Sequence, residues 1–277
     1  MFRKIMIILF FICCFYSNVF SQKAEKDDLL RGINFIKTQV YTDEENAEIL
    51  ELFKGLRVAD VADGLDKVGL PETGLVDQSI HSAWLDLENF SHRICGIALT
   101  VRYVPTQKQN HPGENMDFDK WVGEFYSNYS SEPFKSIIKT GSVIVIDDAE
   151  DRDIGSIGSN NILGWYSAGA VGVITDAGSR DTDEIAKEKV PLYLKQKGRG
   201  IRPGRNEVES VNRPVVIGGV LVCPGDIIVA DGDGVVVVPR KVAKKVALYA
   251  RATIEKDKKG RRALYKKLGI PLDNTVK

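Results

Sequence analysis

The chain is poor in the residues that build metal clusters and redox centres. Its 277 residues include four cysteines and three histidines. Cys13 and Cys14 fall in the N-terminal apolar run, which leaves Cys95 and Cys223 for the body of the chain. Neither has the close spacing of a zinc site. His81, His92 and His111 also lack ligand spacing, and none is assigned a role. There is no excess charge of either sign, with Lys+Arg 38 against Asp+Glu 38. That balance argues against a general nucleic-acid binder, which carries a basic excess. There is no internal repeat, no low-complexity tract, no clear linker and no glycine-rich fingerprint for a methyl donor. What is there is an ordinary globular composition, 43% hydrophobic, on a chain long enough to bury a substantial core.

The one long uncharged run is at the N-terminus. Met1 to Lys4 is basic, Ile5 to Tyr16 is apolar, and Val19 and Ser21 are small or modest residues ahead of Gln22. This is the pattern of a secretory signal peptide, residues 1–21, cut between Ser21 and Gln22. An uncleaved anchor is the other reading, although the run is short for a spanning helix. Export predicts a secreted or periplasmic protein with no membrane contact after cleavage. An oxidising compartment would permit a Cys95–Cys223 bridge, and two isolated core cysteines remain the simpler alternative.

Residues 22–41 are polar and aperiodic, and read as an arm. Residues 42–277 read as one domain. Thr42 to Glu45 spells a capping box opening a helix to about Phe53. Val58, Val61, Leu65 and Val68 recur at helical spacing in a second helix, Arg57 to Val68, that stops at Gly69. Ile94 to Val104 and Val143 to Ile146 read as strands. Gly155 to Ile162 reads as a glycine-rich turn opening a helix to about Gly169, followed by strand Val171 to Thr175. The strand, helix, strand order is a βαβ pattern with parallel pairing. Short strands are expected from Pro191 to Val222 around a basic loop, Lys195 to Arg205. Ile227 to Ala230 and Val235 to Val238 form a hairpin across Asp231 to Gly234. A long basic amphipathic helix, Lys241 to Leu268, closes the chain.

The most informative segment is Val171-Gly-Val-Ile-Thr-Asp-Ala-Gly-Ser-Arg-Asp181. A short strand runs into a glycine turn and presents Arg180 beside Asp181. The guanidinium fork suits a carboxylate, and Asp181 is a hard oxygen ligand that suits Mg²⁺. The helix that starts near Gly158 points free N–H groups outward with positive dipole character. In a parallel α/β unit its start lies at the same sheet edge as the Arg180 tip. The backbone near Ser159, Asn160 and Asn161 and the Arg180 side chain can therefore share one carboxylate. The plain alternative is a solvated loop pair beside an ordinary helix start.

Four stretches together resemble the RraA-like family of 4-hydroxy-4-methyl-2-oxoglutarate aldolases and oxaloacetate decarboxylases. They are Val61 to Gly69, Asp176 to Asp181, Arg213 to Val220, and Pro224 to Pro239, in the family's order. The resemblance spans roughly residues 50 to 268. It implies an α/β fold of the swivelling β/β/α type, a single domain with flanking helices. It also implies a homotrimer or hexamer with sites between subunits, and a lyase that uses Mg²⁺ or Mn²⁺ to cleave a small 2-oxo acid and release pyruvate. The implied roles fall on Arg180 and Ser159 as catalytic positions, on Gly158, Asn160, Asn161 and Arg180 for substrate, and on Asp181 for metal. A helix glutamate that serves a neighbouring subunit's metal in the aldolases would be Glu255, for which a surface charge is the alternative.

Two departures stand out. The aldolases carry an acidic residue after the glycine where this chain has Ser159, and Ala177 replaces a glycine. A carboxylate at position 159 would orient water and move protons; a serine hydrogen-bonds but does not ionise. Asp153, Asp183 and Glu184 are the nearby substitutes in sequence. Two further functions stay in view: a non-enzymatic regulator, and an exported binder that kept the anion clamp without the chemistry.

Overall fold

The computed structural model describes residues 25–148 and 153–277. The segment read as a signal peptide, with Cys13 and Cys14, lies outside the described residues, as does most of the acidic loop after Asp148. The chain divides into a unit ending at Lys37 and a compact unit from Thr38 to Lys277. In the first, one short helix, α1 (Lys26–Arg31), is described where the sequence reads as an arm. No helix among the described residues is long and apolar enough to cross a membrane.

The compact unit starts with α2 (Asp43–Phe53) and α3 (Val58–Lys67). The capping box of α2 forms as its sequence dictates: Thr42 N–H donates to Glu45 Oε2 at 2.7 Å, and Glu45 N–H donates to Thr42 Oγ1 at 3.2 Å. In α3 the periodic residues Val58, Val61 and Leu65 are buried. β1 (His81–Ser82) and β2 (Ile94–Pro105) follow, then α4 (Phe118–Asn128). Next come β3 (Ser142–Asp147), β4 (Gly155–Ile157), α5 (Ser159–Ser167), β5 (Ala170–Ser179), α6 (Thr182–Glu188) and β6 (Leu192–Lys197). β7 (Asn206–Val211), β8 (Val215–Ile217), β9 (Val220–Val222), β10 (Ile227–Asp231), β11 (Gly234–Val238) and α7 (Ala243–Leu268) complete the unit.

The large sheet runs β1-β6-β5-β3-β2-β10-β11, with β4 beside β5 and β7 beside β2. β2, β3, β5 and β6 are parallel, as the βαβ pattern requires, and β10 and β11 form the expected antiparallel hairpin. The segment before β1 nearly closes the sheet. Val76 N–H donates to Val235 O at 3.2 Å and Val237 N–H to Gly74 O at 2.9 Å on one side, and β1 pairs with β6 on the other. The result is a mixed, nearly closed sheet with flanking helices.

Strand alternation sorts the core. Ala98, Val143, Val145, Ile174, Tyr193, Ile228 and Val235 face inward with the β8–β9 hairpin. Their neighbours face outward under two groups of helices. α2, α3 and α7 cover β10 and β11; the Trp165 and Ile162 face of α5 and Ile185 of α6 cover β3, β5 and β6. β3 and β5, the central strands of the parallel set, are buried on both faces, which is why those segments read as apolar runs.

The structure differs from the sequence reading in three places. The glycine-rich stretch Gly155–Ile157 is a short strand, because it pairs in parallel with the extended end of β5. β5 therefore runs to Ser179 rather than to Thr175. Helix α4 went unread although Phe118, Trp121, Val122 and Phe125 recur at helical spacing and Asp117 caps its start. Cys95 and Cys223 are free thiols, in line with the simpler of the two readings, and burial pushes the Cys95 thiol up to about 11.

Candidate functional site at the start of α5

β5 delivers Arg180 and Asp181 to the start of α5. Ser179, fully buried, donates its hydroxyl to Ile157 O at 3.0 Å, and Arg180 N–H donates to the same carbonyl at 2.8 Å. The tip of β5 is thereby clamped to β4, one residue before the helix begins. Asp181 then adopts a left-handed backbone, φ 58 and ψ 35, a conformation that costs a non-glycine residue about 1 kcal/mol. Its carboxylate does not cap its own helix, α6. It reaches across to α5 instead: Ser159 N–H donates to Oδ2 at 3.1 Å, and the Ser159 hydroxyl lies 3.4 Å from the same oxygen.

The two glycines beneath this tip leave room for it. A Cβ at Gly158 would lie 2.6 Å from Asp181 Oδ2 and 3.4 Å from Arg180 Nε. A Cβ at Gly155 would lie 2.7 Å from Arg180 Cβ. Any side chain at either position would displace the Arg–Asp pair, so here glycine is required by close approach rather than by backbone conformation.

Gly158, Ser159, Arg180 and Asp181 are thus brought together, with the partly positive start of α5 between them. Asn160 is exposed beside them. The Asn161 side chain turns inward: its amide donates to Glu132 Oε1 at 2.5 Å. Glu132 also accepts from Trp165 Nε1 at 3.1 Å and from Arg202 at 3.0 Å. Arg202 is 4% exposed and stacks over Tyr103 and Tyr126. This anchor fixes the first turn of α5 from behind. Nothing in the sequence around Glu132 announces it, because these partners lie on α5 and in the loop before β7, far along the chain.

The possible substitutes for the missing carboxylate are placed differently. Asp153 pairs with Arg199 through the backbone N–H at 2.8 Å and through the guanidinium. That pairing holds its carboxyl below the usual range, so it is a poor proton donor. Asp183 and Glu184 are exposed in the first turn of α6. Glu255 is exposed on α7, whose core is shared with α2 and α3 and not with α5. Asp231 is 5% exposed; it accepts from Val58 N–H at 3.0 Å and from Asp233 N–H at 2.9 Å. It belongs to the fold, as hairpin chemistry suggests. His92 is buried and accepts from Asp86 N–H.

Among the described residues no group of three or more His, Cys, Asp or Glu could hold a metal ion. A single exposed carboxylate is still compatible with Mg²⁺ or Mn²⁺. Such ions are commonly held by one or two carboxylates, with water and substrate oxygens supplying the rest.

Comparison with known proteins gives a consistent picture. A family model described as RraA-like, Aldolase/RraA, matches residues 58–237. Protein DlpA of Legionella pneumophila is 30% identical over 198 residues, covering 68% of this chain and 27% of that protein. A protein of Halalkalibacterium halodurans named "Putative 4-hydroxy-4-methyl-2-oxoglutarate aldolase" is 31% identical over 126 residues, 45% of this chain and 59% of its own length. The chain thus spans less than two thirds of either relative. Among solved structures, an uncharacterized protein from Pseudomonas syringae superposes with a TM-score of 0.62 at 26% identity, covering 83% of this chain and 96% of that one. Streptomyces coelicolor RraAS2, described as an unusual member of the RNase ES inhibitor RraA family, gives 0.61 at 20% identity over 82% of this chain and 98% of that one. At that identity the likeness speaks for the fold alone.

Proposed function

The chain belongs to the RraA-like family, and from that premise we propose that it is a divalent-metal-dependent lyase that cleaves a small 2-oxo acid and releases pyruvate. The observation that carries this reading is the convergence of Arg180 and Asp181 on the start of α5 over Gly158. Asp181 would hold Mg²⁺ or Mn²⁺, which when bound supplies Lewis-acid polarisation of the 2-oxo group. The remaining work falls to the chain itself. Arg180 grips the substrate carboxylate with a planar fork, and the N–H groups at Asn160 and Asn161 meet its other oxygen. Fixing the carboxylate fixes the plane of the 2-oxo group, so the bond to be broken stands near perpendicular to it. No lysine is needed for a Schiff base. Ser159 hydrogen-bonds to Asp181 and can orient a water molecule, but it has no acidic proton to deliver.

That last point favours a second reading, an exported RraA-like binding or regulatory protein that retains the anion clamp. The observations behind it are the serine at position 159 and the engagement of Asp153 by Arg199. Pyruvate release separates the two. The chain from Gln22 is assayed on a panel including oxaloacetate and 4-hydroxy-4-methyl-2-oxoglutarate, with Mg²⁺ or Mn²⁺ and again with chelator. The lyase reading requires metal-dependent pyruvate release that Asp181→Ala abolishes. Tight binding without turnover on every substrate selects the binder.

Two related proposals accompany it. The protein is exported, which N-terminal sequencing of the secreted or periplasmic form tests, Gln22 being the expected first residue. It assembles as a homotrimer or hexamer with sites between subunits, which light scattering of the mature chain tests.

A further inference from the structure

The inward face of the sheet ends in a second polar place, away from the start of α5. Arg102, Asp147, Asp176 and Lys195 occupy corresponding positions near the C-terminal ends of β2, β3, β5 and β6. By strand alternation they share the face of Ala98, Val143, Val145, Ile174 and Tyr193, inside the nearly closed sheet. α5 packs on the opposite face. The four residues line a cavity of about 610 Å³ that is bounded on its other side by the β8–β9 hairpin, with Val215 and Val216. The mouths of barrels and the carboxyl ends of parallel strands are where ligands collect.

The order of charges along this row is plus, minus, minus, plus. Arg102 Nε lies 3.5 Å from Asp147 Oδ2, and Val216 N–H donates to the same oxygen at 3.3 Å. Asp176 is 8% exposed and accepts from Asp148 N–H at 3.0 Å. Burial raises it to about 6, with Asp147 adding to that and Lys195 opposing it. Asp77 also lines the cavity, so three carboxylates face two cations and the lining does not favour an anion. It offers adjacent donors and acceptors, flanked by the apolar surfaces of Ile80 and Val215. A hydroxyl both donates and accepts, so a ring carrying several of them matches such a row, with its C–H face on the apolar wall.

We propose that this mouth binds a neutral polyhydroxylated ligand, one or two sugar rings in size, at a site separate from the Arg180–Asp181 site. The proposal does not depend on the lyase reading. It is tested on the mature full-length chain by saturation-transfer NMR and calorimetry with glucose, xylose and maltose, and with citrate and glutamate as charged controls. At least one sugar is expected to bind in the millimolar range or better. Asp176→Asn and Arg102→Ala are each expected to weaken it by about tenfold or more, as loss of a hydrogen bond to a charged group does. Val216, 51% exposed on the hairpin, offers a variant that spares the core: Val216→Trp should fill the mouth, block the sugar and leave the fold unchanged by circular dichroism. Arg180→Lys should leave sugar binding intact. Failure of all three sugars to bind the folded protein overturns the proposal. So does binding that all three mouth variants leave unchanged, binding lost in Arg180→Lys, or a preference of the mouth for citrate or glutamate.

Discussion

Asp231 and Asp181 each accept a hydrogen bond from the first backbone N–H of a helix: Val58 of α3 at 3.0 Å, and Ser159 of α5 at 3.1 Å. The local chemistry is the same, and the surroundings divide their roles. Asp231 is buried, and its second oxygen accepts from Asp233 within the β10–β11 hairpin. It ties α3 to the sheet beneath α7, where Arg57 also grips Asp60 at 2.9 and 2.7 Å. Asp181 is exposed, held in a left-handed backbone, and set beside an arginine over two glycines. A carboxylate committed on both oxygens inside a core serves stability. One held at the surface by a single helix N–H and a serine can also meet a ligand.

The sharpest way to break this comparison is to remove each carboxylate in turn. Asp181→Ala should abolish metal-dependent pyruvate release, a loss of roughly a thousandfold or more for a residue that holds the metal, while denaturant unfolding moves by less than about 1 kcal/mol, as for an exposed cap. Asp231→Ala should do the reverse. Leaving the Val58 N–H buried and unpaired, and the exposed Asp233 turn without its acceptor, should cost about 2 kcal/mol in unfolding free energy, with turnover per folded molecule retained. If the two variants had similar profiles, the division drawn here would be wrong.

Arg180→Lys keeps the charge and removes the fork. Turnover should fall about a hundredfold, measured as kcat/KM at saturating metal, because a point charge cannot fix the carboxylate plane. Gly158→Ala approaches the same site through sterics. The added carbon has to move Asp181 Oδ2 from 2.6 Å, so activity should drop at least tenfold while the thermal midpoint changes little; unchanged activity would show that the Arg–Asp pair tolerates displacement.

A pH titration extends the contrast to the barrel mouth. Asp176 is raised in the folded chain from an ordinary 3.8 to about 6, chiefly by burial. The folded protein therefore prefers the protonated form. This contribution is whole below about pH 4 and is lost as pH rises through about 6. A gap of about two pH units corresponds to about 3 kcal/mol. Asp176→Asn should flatten this part of the stability curve and raise stability at pH 7 to 8. Asp147 and Asp226, also raised by burial, would account for the slope that remains. No change in slope would mean that Asp176 is better solvated than its surroundings imply.

Much of the fold was legible in the chain. The Thr42–Glu45 capping box, the apolar period of α3, the Asp231–Gly234 hairpin and the β3–α5–β5 unit all rest on contacts close in sequence or on strict periodicity. So did the pairing of Arg180 and Asp181 with the start of α5, since parallel connection places both at one sheet edge. Helix α4 was legible too, in the period of Phe118, Trp121, Val122 and Phe125 after the Asp117 cap, and was passed over as loop beside the polar stretch before it. Glu132 escaped because its meaning lies in Asn161, Trp165 and Arg202, none of them neighbours in the chain.

By itself, then, the sequence determined the periodic elements, the parallel unit, and the meeting of Arg180 and Asp181 with the start of α5. These follow from side-chain spacing and from backbone chemistry within a few residues. Only the tertiary structure decided that Asp231 also caps α3 and that Asp181 is exposed, that Arg199 engages Asp153, and that four charges from four strands meet at one mouth. Those outcomes depend on which distant segments pack together and how much water they exclude. Burial and pairing of that kind are properties of the assembled sheet, and no local pattern encodes them.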